Sequence, residues 1–280
     1  MPAAPGWLAQ LRLDYRHDGN RTNVDYEHKG PLRVLKNLYP EGDSICHNVL
    51  VHPPSGLVGG DTIDIQVGVG QDAHALVTTP GATRFYRSEA GLATQRVRAH
   101  VSPGAKLEWL PLEAIAYSGC DALNEASFTL EPGAEMMAWD ITALGLPNAH
   151  LPFEQGQFQQ HFEIANVWLD RGCIKASDQH LLRSPLGLAG QQCMATLVFA
   201  SGSPIARERV AQTLELTQDL LQAHDLAPMA GVTAPNPQTI VLRVLSPHVE
   251  GSFDLLRTVW GQWRAACWGL PSTPPRIWSM

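Results

Sequence analysis

VSPGAKL at residues 101–107 and LEPGAEM at residues 130–136 are two copies of one turn motif in the middle of the chain. Their prolines, Pro103 and Pro132, are 29 residues apart, and Gln71 of an earlier turn lies 32 residues before Pro103. Units of strand, turn and strand that recur at about 30 residues are typical of a β-solenoid. Chance recurrence is the alternative, because Pro-Gly is a common turn dipeptide.

Short segments of alternating polarity surround these turns, separated by many of the 24 glycines and 21 prolines. The predicted strands are residues 8–16, 32–35, 45–52, 62–69, 73–78, 95–101, 105–110, 126–130, 135–141, 157–164, 167–174, 195–200 and 239–245. Many short strands broken by turn residues indicate an all-β assembly. The sequence therefore predicts a mostly β protein with a large, multi-stranded, solenoid-like or β-helix-like architecture, forming a single domain over residues 1–280.

Two helices are predicted in the C-terminal third. The first begins with Ser203 as its cap and Pro204 at its first position, and it ends before Pro228. Its apolar stripe contains Val210, Leu214, Leu220 and Leu221. The second runs from about residue 252 to residue 268, where Gly269 ends it. Tryptophans on this second helix either mark a protein interface or pack on the sheet.

The composition excludes several classes of function. Twenty Lys and Arg against 27 Asp and Glu give a net charge of −7, which argues against nucleic acid as the main partner. No apolar run approaches the ~18 residues of a membrane span. Residues 1–10 lack the features of a signal peptide. A cytoplasmic location without membrane contact is therefore expected.

Cysteine and histidine patterns predict neither a disulfide framework nor a fixed metal site. The five cysteines are widely spaced, and no Cys-x-x-Cys pair occurs. Cys46 and His52 share one strand face, but six strand residues separate them by roughly 20 Å. The remaining histidines are scattered. Nucleotide-binding glycine loops, Walker motifs and the common hydrolase motifs are absent from the sequence.

Three acids stand out because each lies beside turn or apolar residues: Asp61 in HPPSGLVGGD (52–61), Glu113 in EWLPLEAI (108–115) and Asp140 in MAWDI (137–141). The three acids are predicted to recur at similar places in the suggested repeats, so they line one interior path if the coils stack. Spaced oxygen donors suit a hydrated divalent cation that passes through and is released. The alternative is three separate structural acids, each capping a turn. The polar segment TTPGATRFYRS (78–88) lines a channel or forms an ordinary hairpin.

These segments resemble the urease accessory protein UreD family, called UreH in some organisms. The matching stretches are GPLRVLKNLYPEG (30–42), HPP (52–54), GLVGGD (56–61), TTPGATRFYRS (78–88), WLPLE (109–113) and PRIW (275–278). The chain departs from the family pattern at Leu112, where Gln is usual, and at Leu146, where Arg is usual. The family's closing Trp-Asn-Thr is Trp278-Ser279-Met280 here.

The resemblance implies a β-rich scaffold with two helices that is not an enzyme. It implies binding to urease apoprotein and to UreF, which recruits the GTPase UreG, so that GTP acts only through UreG. It further implies no tightly bound cofactor and a path through which nickel(II) passes transiently to the urease active site. The residues that it assigns to this path are Asp61, Thr83, Ser88, Glu113 and Asp140.

Two alternatives to nickel conduction stay open at this point. A purely structural adaptor would hold UreF to urease without conducting metal. A solenoid-type carbohydrate-acting enzyme would present Asp61, Glu113 and Asp140 to solvent on one face of the coils, beside aromatic side chains that stack on sugars.

Overall fold

The computed structural model describes residues 6–54, 56–89 and 91–279. The predicted domain also includes residues 1–5, Ser55, Ala90 and Met280, which lie outside the described residues. The described chain is mostly β with a β-solenoid arrangement, so the predicted fold class is confirmed. Within the described ranges, no helix combines the length and apolar character needed to cross a membrane.

The first sheet contains the strands that begin each coil. They are β1 (Leu8–Asp18), β2 (Arg21–Lys29), β5 (Thr62–Val69), β8 (Ala93–Val101), β11 (Cys120–Leu130), β14 (Gly156–Ile164) and β15 (Trp168–Lys175). Their order across the sheet is β15-β14-β11-β8-β5-β1-β2. Strands β1, β5, β8, β11 and β14 are parallel, whereas β2 and β15 pair antiparallel at the two edges.

The second sheet faces the first. It contains β3 (Arg33–Leu38), β4 (Ile45–Val51), β6 (His74–Thr78), β7 (Thr83–Phe85), β9 (Lys106–Leu110), β10 (Ala114–Ala116), β12 (Glu135–Leu146), β13 (Leu151–Pro152), β16 (Cys193–Ser201), β17 (Ala230–Asn236) and β18 (Thr239–Ser246). The main order is β17-β18-β16-β12-β9-β6-β4-β3. Strands β4, β6, β9 and β12 are parallel, so successive coils stack in both sheets.

The turns that join the two sheets stack on one another. For example, Glu131 N donates to Val101 O of the preceding coil at 3.0 Å. Asp72, Gly104 and Gly133 occupy the same place in three successive turns and have φ angles of 59°, 72° and 83°. Glycine adopts this left-handed conformation at little cost, and Asp tolerates it better than most residues. The predicted repetition of strand–turn–strand units is therefore confirmed.

Three helices and a π-helical turn complete the described structure: α1 (Gln179–Arg183), α2 (Arg207–Gln222), α3 (Val249–Trp263) and the turn Arg264–Trp268. The two longer helices lie where they were predicted, but their starts differ. Ala206 is the cap of α2, and Ser203 instead accepts a hydrogen bond from Gly133 N at 3.0 Å. Ser203 is therefore part of a turn contact and does not cap the helix.

Strands β2, β7, β10, β13 and β17 and helix α1 were not predicted. Strands β7, β10 and β13 are only two or three residues long, which is too short to show an alternation. Strand β2 has few buried side chains because it is an edge strand, so it lacks the full alternation that marks a strand in sequence. Strand β17 is also an edge strand. Helix α1 is only five residues long, which is too short to show a helical period.

Two apolar cores hold the layers together. One lies between the two sheets, and the other lies between the outer face of the second sheet and helices α2 and α3. Trp260 and Trp263 of α3 are fully buried in the second core. Of the two interpretations of this helix, packing on the sheet accounts for these tryptophans.

A buried guanidinium connects this helical layer to the middle of the second sheet and to the segment before β4. Arg264 is fully buried, and its Nη1 lies 2.8 Å from Glu41 Oε2, while its Nε lies 3.2 Å from Glu108 Oε2. Glu108 also accepts hydrogen bonds from Trp260 Nε1 at 2.6 Å and from His74 Nε2 at 2.8 Å. Two carboxylates from distant parts of the chain therefore share one guanidinium.

Both carboxylates are held ionised. Burial raises the pKa of Glu41, but hydrogen bonds from His47 and Arg264 outweigh it and lower that pKa to about 2. Burial likewise raises the pKa of Glu108, but the hydrogen bond from His74 and the charge of Arg264 bring it below the usual value. Burial lowers the pKa of His74, so at neutral pH a neutral imidazole donates a hydrogen bond from Nε2 to Glu108.

Replacing Arg264 tests this cluster. Arg264→Met leaves two buried carboxylates without their cation, and we expect it to lower the free energy of unfolding by about 3–5 kcal/mol. Arg257→Met on the adjoining helix α3 is the matched control. Arg257 forms a partly exposed ion pair with Asp254, so we expect a loss of about 1 kcal/mol or less. Urea denaturation measures both variants, and equal losses would contradict the prediction.

Candidate functional site

A row of polar side chains lies on the inner face of the first sheet. Gln95 of β8, Asn124 of β11 and Gln160 of β14 are direct neighbours in the strand register. Adjacent strands are about 4.8 Å apart, so the three amides follow one another along the axis of the solenoid. They form a polar row through an otherwise apolar core.

Hydrogen bonds join this row to the second sheet. Thr83 Oγ1 donates to Gln95 Oε1 at 3.1 Å, and Gln95 Nε2 donates to Asn124 Oδ1 at 3.1 Å. Asn124 Nδ2 then donates to Asp140 Oδ2 at 2.8 Å. Two of the residues proposed from the sequence, Thr83 and Asp140, are therefore linked by one hydrogen-bonded chain.

Asp140 is the acid of this row. Its Oδ1 accepts hydrogen bonds from Gln160 Nε2 at 2.9 Å and from Thr142 Oγ1 at 3.0 Å. Burial raises its pKa, the nearby charge of Asp170 adds to the rise, and the bonds from Thr142 and Asn124 oppose it, which leaves a value of about 6. At neutral pH the carboxylate is thus ionised and surrounded by neutral donors.

A cavity of about 210 Å³ adjoins one end of the row. Its polar wall includes Gln95 and the segment 79–84 that the sequence singled out as a possible channel lining. Its apolar wall includes Ile63, Ile65 and Trp109. Thr83 and Gln95 therefore border a space that is large enough for several water molecules.

An ion pair lies at the end of the polar row opposite the cavity. Asp140, Thr196 and Arg243 are neighbours across β12, β16 and β18. Arg243 Nη2 lies 2.7 Å from Asp170 Oδ2 on the edge strand β15 of the opposite sheet. Both side chains are partly exposed, so an ion pair at the surface lies close enough for the charge of Asp170 to act on Asp140.

Asp61 lies elsewhere and closes a turn. It is buried, with 2% of its surface exposed. Its Oδ1 accepts a hydrogen bond from Trp7 N at 3.1 Å, and its Oδ2 accepts one from Val58 N at 2.9 Å. These contacts match the structural alternative for this acid, since both carboxylate oxygens are used to hold backbone amides.

Ser88 and Glu113 also lie apart from the row. Ser88 Oγ donates to Gly91 O at 2.6 Å within its own loop. Glu113 lines a different cavity of about 180 Å³ together with Glu250. Burial raises the pKa of Glu113, and the charge of Glu250 adds to the rise against the opposing charge of Arg84.

The expectation that the three acids occupy equivalent places in the repeats is wrong. Asp61 precedes β5 of the first sheet, Glu113 precedes β10 of the second, and Asp140 lies within β12. In the part of the chain that the structure describes, no group of three or more His, Cys, Asp or Glu side chains could hold a metal ion. The structure places one acid, Asp140, in a row of neutral amide and hydroxyl groups.

Sequence reasoning missed Gln95, Asn124 and Gln160. A signal for two of them was present, because Gln95 and Asn124 are 29 residues apart, the same distance that separates the repeated turns. Residues at the same place in successive coils stack, so the repeat itself predicts that these amides are neighbours. Gln160 lies 36 residues after Asn124 and falls outside that period.

The raised pKa of Asp140 predicts a pH-dependent stability. The pKa rises from 3.8 to about 6 on folding, so the folded state binds the proton more tightly. Asp140 therefore destabilises the fold above pH 6, and this cost disappears as the pH falls toward 4. Relative to Asp140→Asn, we expect the wild-type free energy of unfolding to rise by up to about 3 kcal/mol between pH 7.5 and pH 4. Urea denaturation at several pH values measures this difference, and a constant difference would contradict the raised pKa.

Comparison with known proteins bears on the family. A family model described as UreD urease accessory protein matches residues 8–279. The urease accessory protein UreD of Albidiferax ferrireducens is 59% identical over 274 residues, covering 98% of this chain and 99% of that protein. Its counterpart from Variovorax paradoxus is 56% identical over 273 residues, with the same coverage. That of Methylibium petroleiphilum is 45% identical over 296 residues, covering 97% of this chain and 99% of that protein.

These matches extend over nearly the whole chain and confirm the resemblance that the sequence motifs indicated. The chain therefore belongs to the UreD family of urease accessory proteins, and its role lies in urease maturation.

Proposed function

We propose that this chain conducts nickel(II) to urease apoprotein along its polar interior while it holds the accessory proteins in place. The observation that carries the proposal is the hydrogen-bonded chain from Thr83 through Gln95 and Asn124 to Asp140. It supplies polar groups along the solenoid axis, where a core of this kind is otherwise apolar.

The chemistry of the row suits transit. Amide, hydroxyl and carboxylate oxygens bind a divalent cation less tightly than clustered thiolates or imidazoles bind nickel. The single carboxylate of Asp140 attracts the ion, and neutral neighbours let it move on, because conduction requires binding that is favourable but weak. Nickel is thus the cargo of this protein, and no tightly bound cofactor is part of the proposal.

The partners in the proposal follow from family membership. Urease apoprotein receives the nickel, UreF binds this chain, and UreG joins through UreF and supplies the GTP hydrolysis. A cytoplasmic location is part of the same proposal, because urease maturation by these partners takes place there. The proposal assigns no catalytic residue and no GTP site to this chain.

The geometry opposes the carbohydrate-enzyme alternative and leaves the adaptor alternative open. The carbohydrate-enzyme alternative needs three acids exposed on one face, but Asp61 is buried in a turn, Asp140 faces the interior and Glu113 lines a separate cavity. The adaptor alternative makes no demand on the interior, so only a functional experiment separates it from conduction.

The first experiment compares cells that express the urease subunits and the other accessory proteins with and without this chain, at a fixed nickel concentration. Urease activity and urease-bound nickel are measured together. We expect both to fall to background without the chain and to return with it. Unchanged activity and nickel content would contradict the proposed function.

Asp140→Asn separates conduction from the adaptor alternative. The substitution keeps the shape of the side chain and removes its charge. We expect complexes with UreF and urease to form as before, while urease-bound nickel falls by about tenfold, equivalent to about 1.4 kcal/mol of lost attraction for the cation. Asp64→Asn is the matched control, since Asp64 binds Arg98 outside this row. Normal nickel loading by Asp140→Asn would favour the adaptor.

A further inference from the structure

We propose that His52 is a metal ligand at the entrance of the interior row, where its Nε2 takes up a divalent cation of nickel type. This inference rests on the proposed function and adds a nitrogen donor to a path that otherwise offers oxygen donors. In the sequence, His52 has no second ligand at binding distance on its own strand face, because Cys46 lies roughly 20 Å away.

The position of His52 is the first observation. It directly follows β4 and lines the cavity of about 210 Å³, together with Thr83 and Gln95. The imidazole of His52, Thr83 and Gln95 therefore border the same space. A cation bound at His52 would be next to the start of the polar row.

The second observation is the unused ring nitrogen. His52 Nε2 is shielded from bulk solvent and has no hydrogen-bond partner among the residues that the structure describes. Buried polar atoms are almost always paired, so an unpaired nitrogen beside a cavity indicates a missing partner. Burial lowers the pKa of His52, although the charge of Asp61 opposes the shift. A neutral imidazole offers one unprotonated nitrogen to a metal.

The third observation is the support of the ring. The indole of Trp7 lies against His52, with ring centroids 4.8 Å apart and planes tilted by 37°. Asp61 accepts a hydrogen bond from Trp7 N, and Trp7 O accepts one from Thr62 N at 2.9 Å. Asp61 thus fixes the segment whose indole orients the imidazole. Within this inference, Asp61 is a positioning residue.

The chemistry of the site selects the class of ligand. Imidazole nitrogen prefers nickel, zinc and copper over magnesium and calcium. One nitrogen with a nearby hydroxyl and amide oxygen, completed by water, gives a site that exchanges its ion readily. The negative charge of Asp61, which acts on His52, favours a cation over an anion beside this ring.

The test uses the purified full-length chain and Ni²⁺ alone. Paramagnetic broadening of imidazole signals in histidine-labelled protein shows which rings bind the ion, and His52→Gln identifies the His52 signal. We expect that signal to broaden first at substoichiometric Ni²⁺. In calorimetric titrations, we expect His52→Gln to weaken Ni²⁺ binding by about tenfold or more. His17→Gln is the matched control, because His17 is exposed on β1, and its affinity should equal that of the wild type.

Two results would overturn the inference: a His52 signal that persists while Ni²⁺ broadens other histidines, or a folded His52→Gln that binds Ni²⁺ like the wild type. The broadening experiment needs no folded variant beyond the one used for assignment. For Asp61→Ala, we expect shifted metal-free His52 signals together with weaker Ni²⁺ binding, and unchanged signals and affinity would refute the positioning role. Failure of the proposed function appears separately, as normal urease-bound nickel with Asp140→Asn.

Discussion

The shared guanidinium of Arg264 is the contact on which the three-layer arrangement depends. Its two carboxylates come from the segment before β4 and from β9, and Arg264 itself lies just beyond α3. The helical layer is therefore joined to the first and the middle coils at one buried point. The apolar packing of Trp260 and Trp263 buries surface between the helices and the sheet. Apolar packing alone does not fix one position of the helices on the sheet. A buried ion pair with defined geometry fixes the position of the helices on the sheet.

The polar row lies in the other core, between the two sheets, where its side chains need hydrogen-bond partners. Buried amides and a carboxylate are costly when their hydrogen bonds are incomplete. Here Gln95, Asn124 and Gln160 satisfy one another or Asp140 along the axis. A core of this kind keeps its polar groups in place without a bound ion. The same groups lie at successive heights in the solenoid, which is the arrangement that stepwise transfer requires.

The fold was largely predictable because its signal is periodic. The repeated Pro-Gly-Ala turns predicted the stack of coils, and helix α2 was visible from its apolar stripe. The site was less predictable, since it depends on contacts between distant segments. Thr83 and Asp140 were found through motifs, whereas the Asp170–Arg243 pair joins strands of different sheets that no local pattern relates. Arg264 and Glu41 are 223 residues apart, and neither sequence neighbourhood indicates the other.

The antiparallel hairpins at both edges of the first sheet set a limit on the molecule. Strands β2 and β15 reverse direction, so the run of parallel strands ends at both edges of the first sheet. The interior row consequently has a finite length, set by the number of coils and not by the number of residues. From Gln95 on β8 to Gln160 on β14 this length is about 10 Å. The number of coils therefore sets the distance between the two ends of the row. An inserted coil would move these ends apart by about 5 Å and add one more polar group between them.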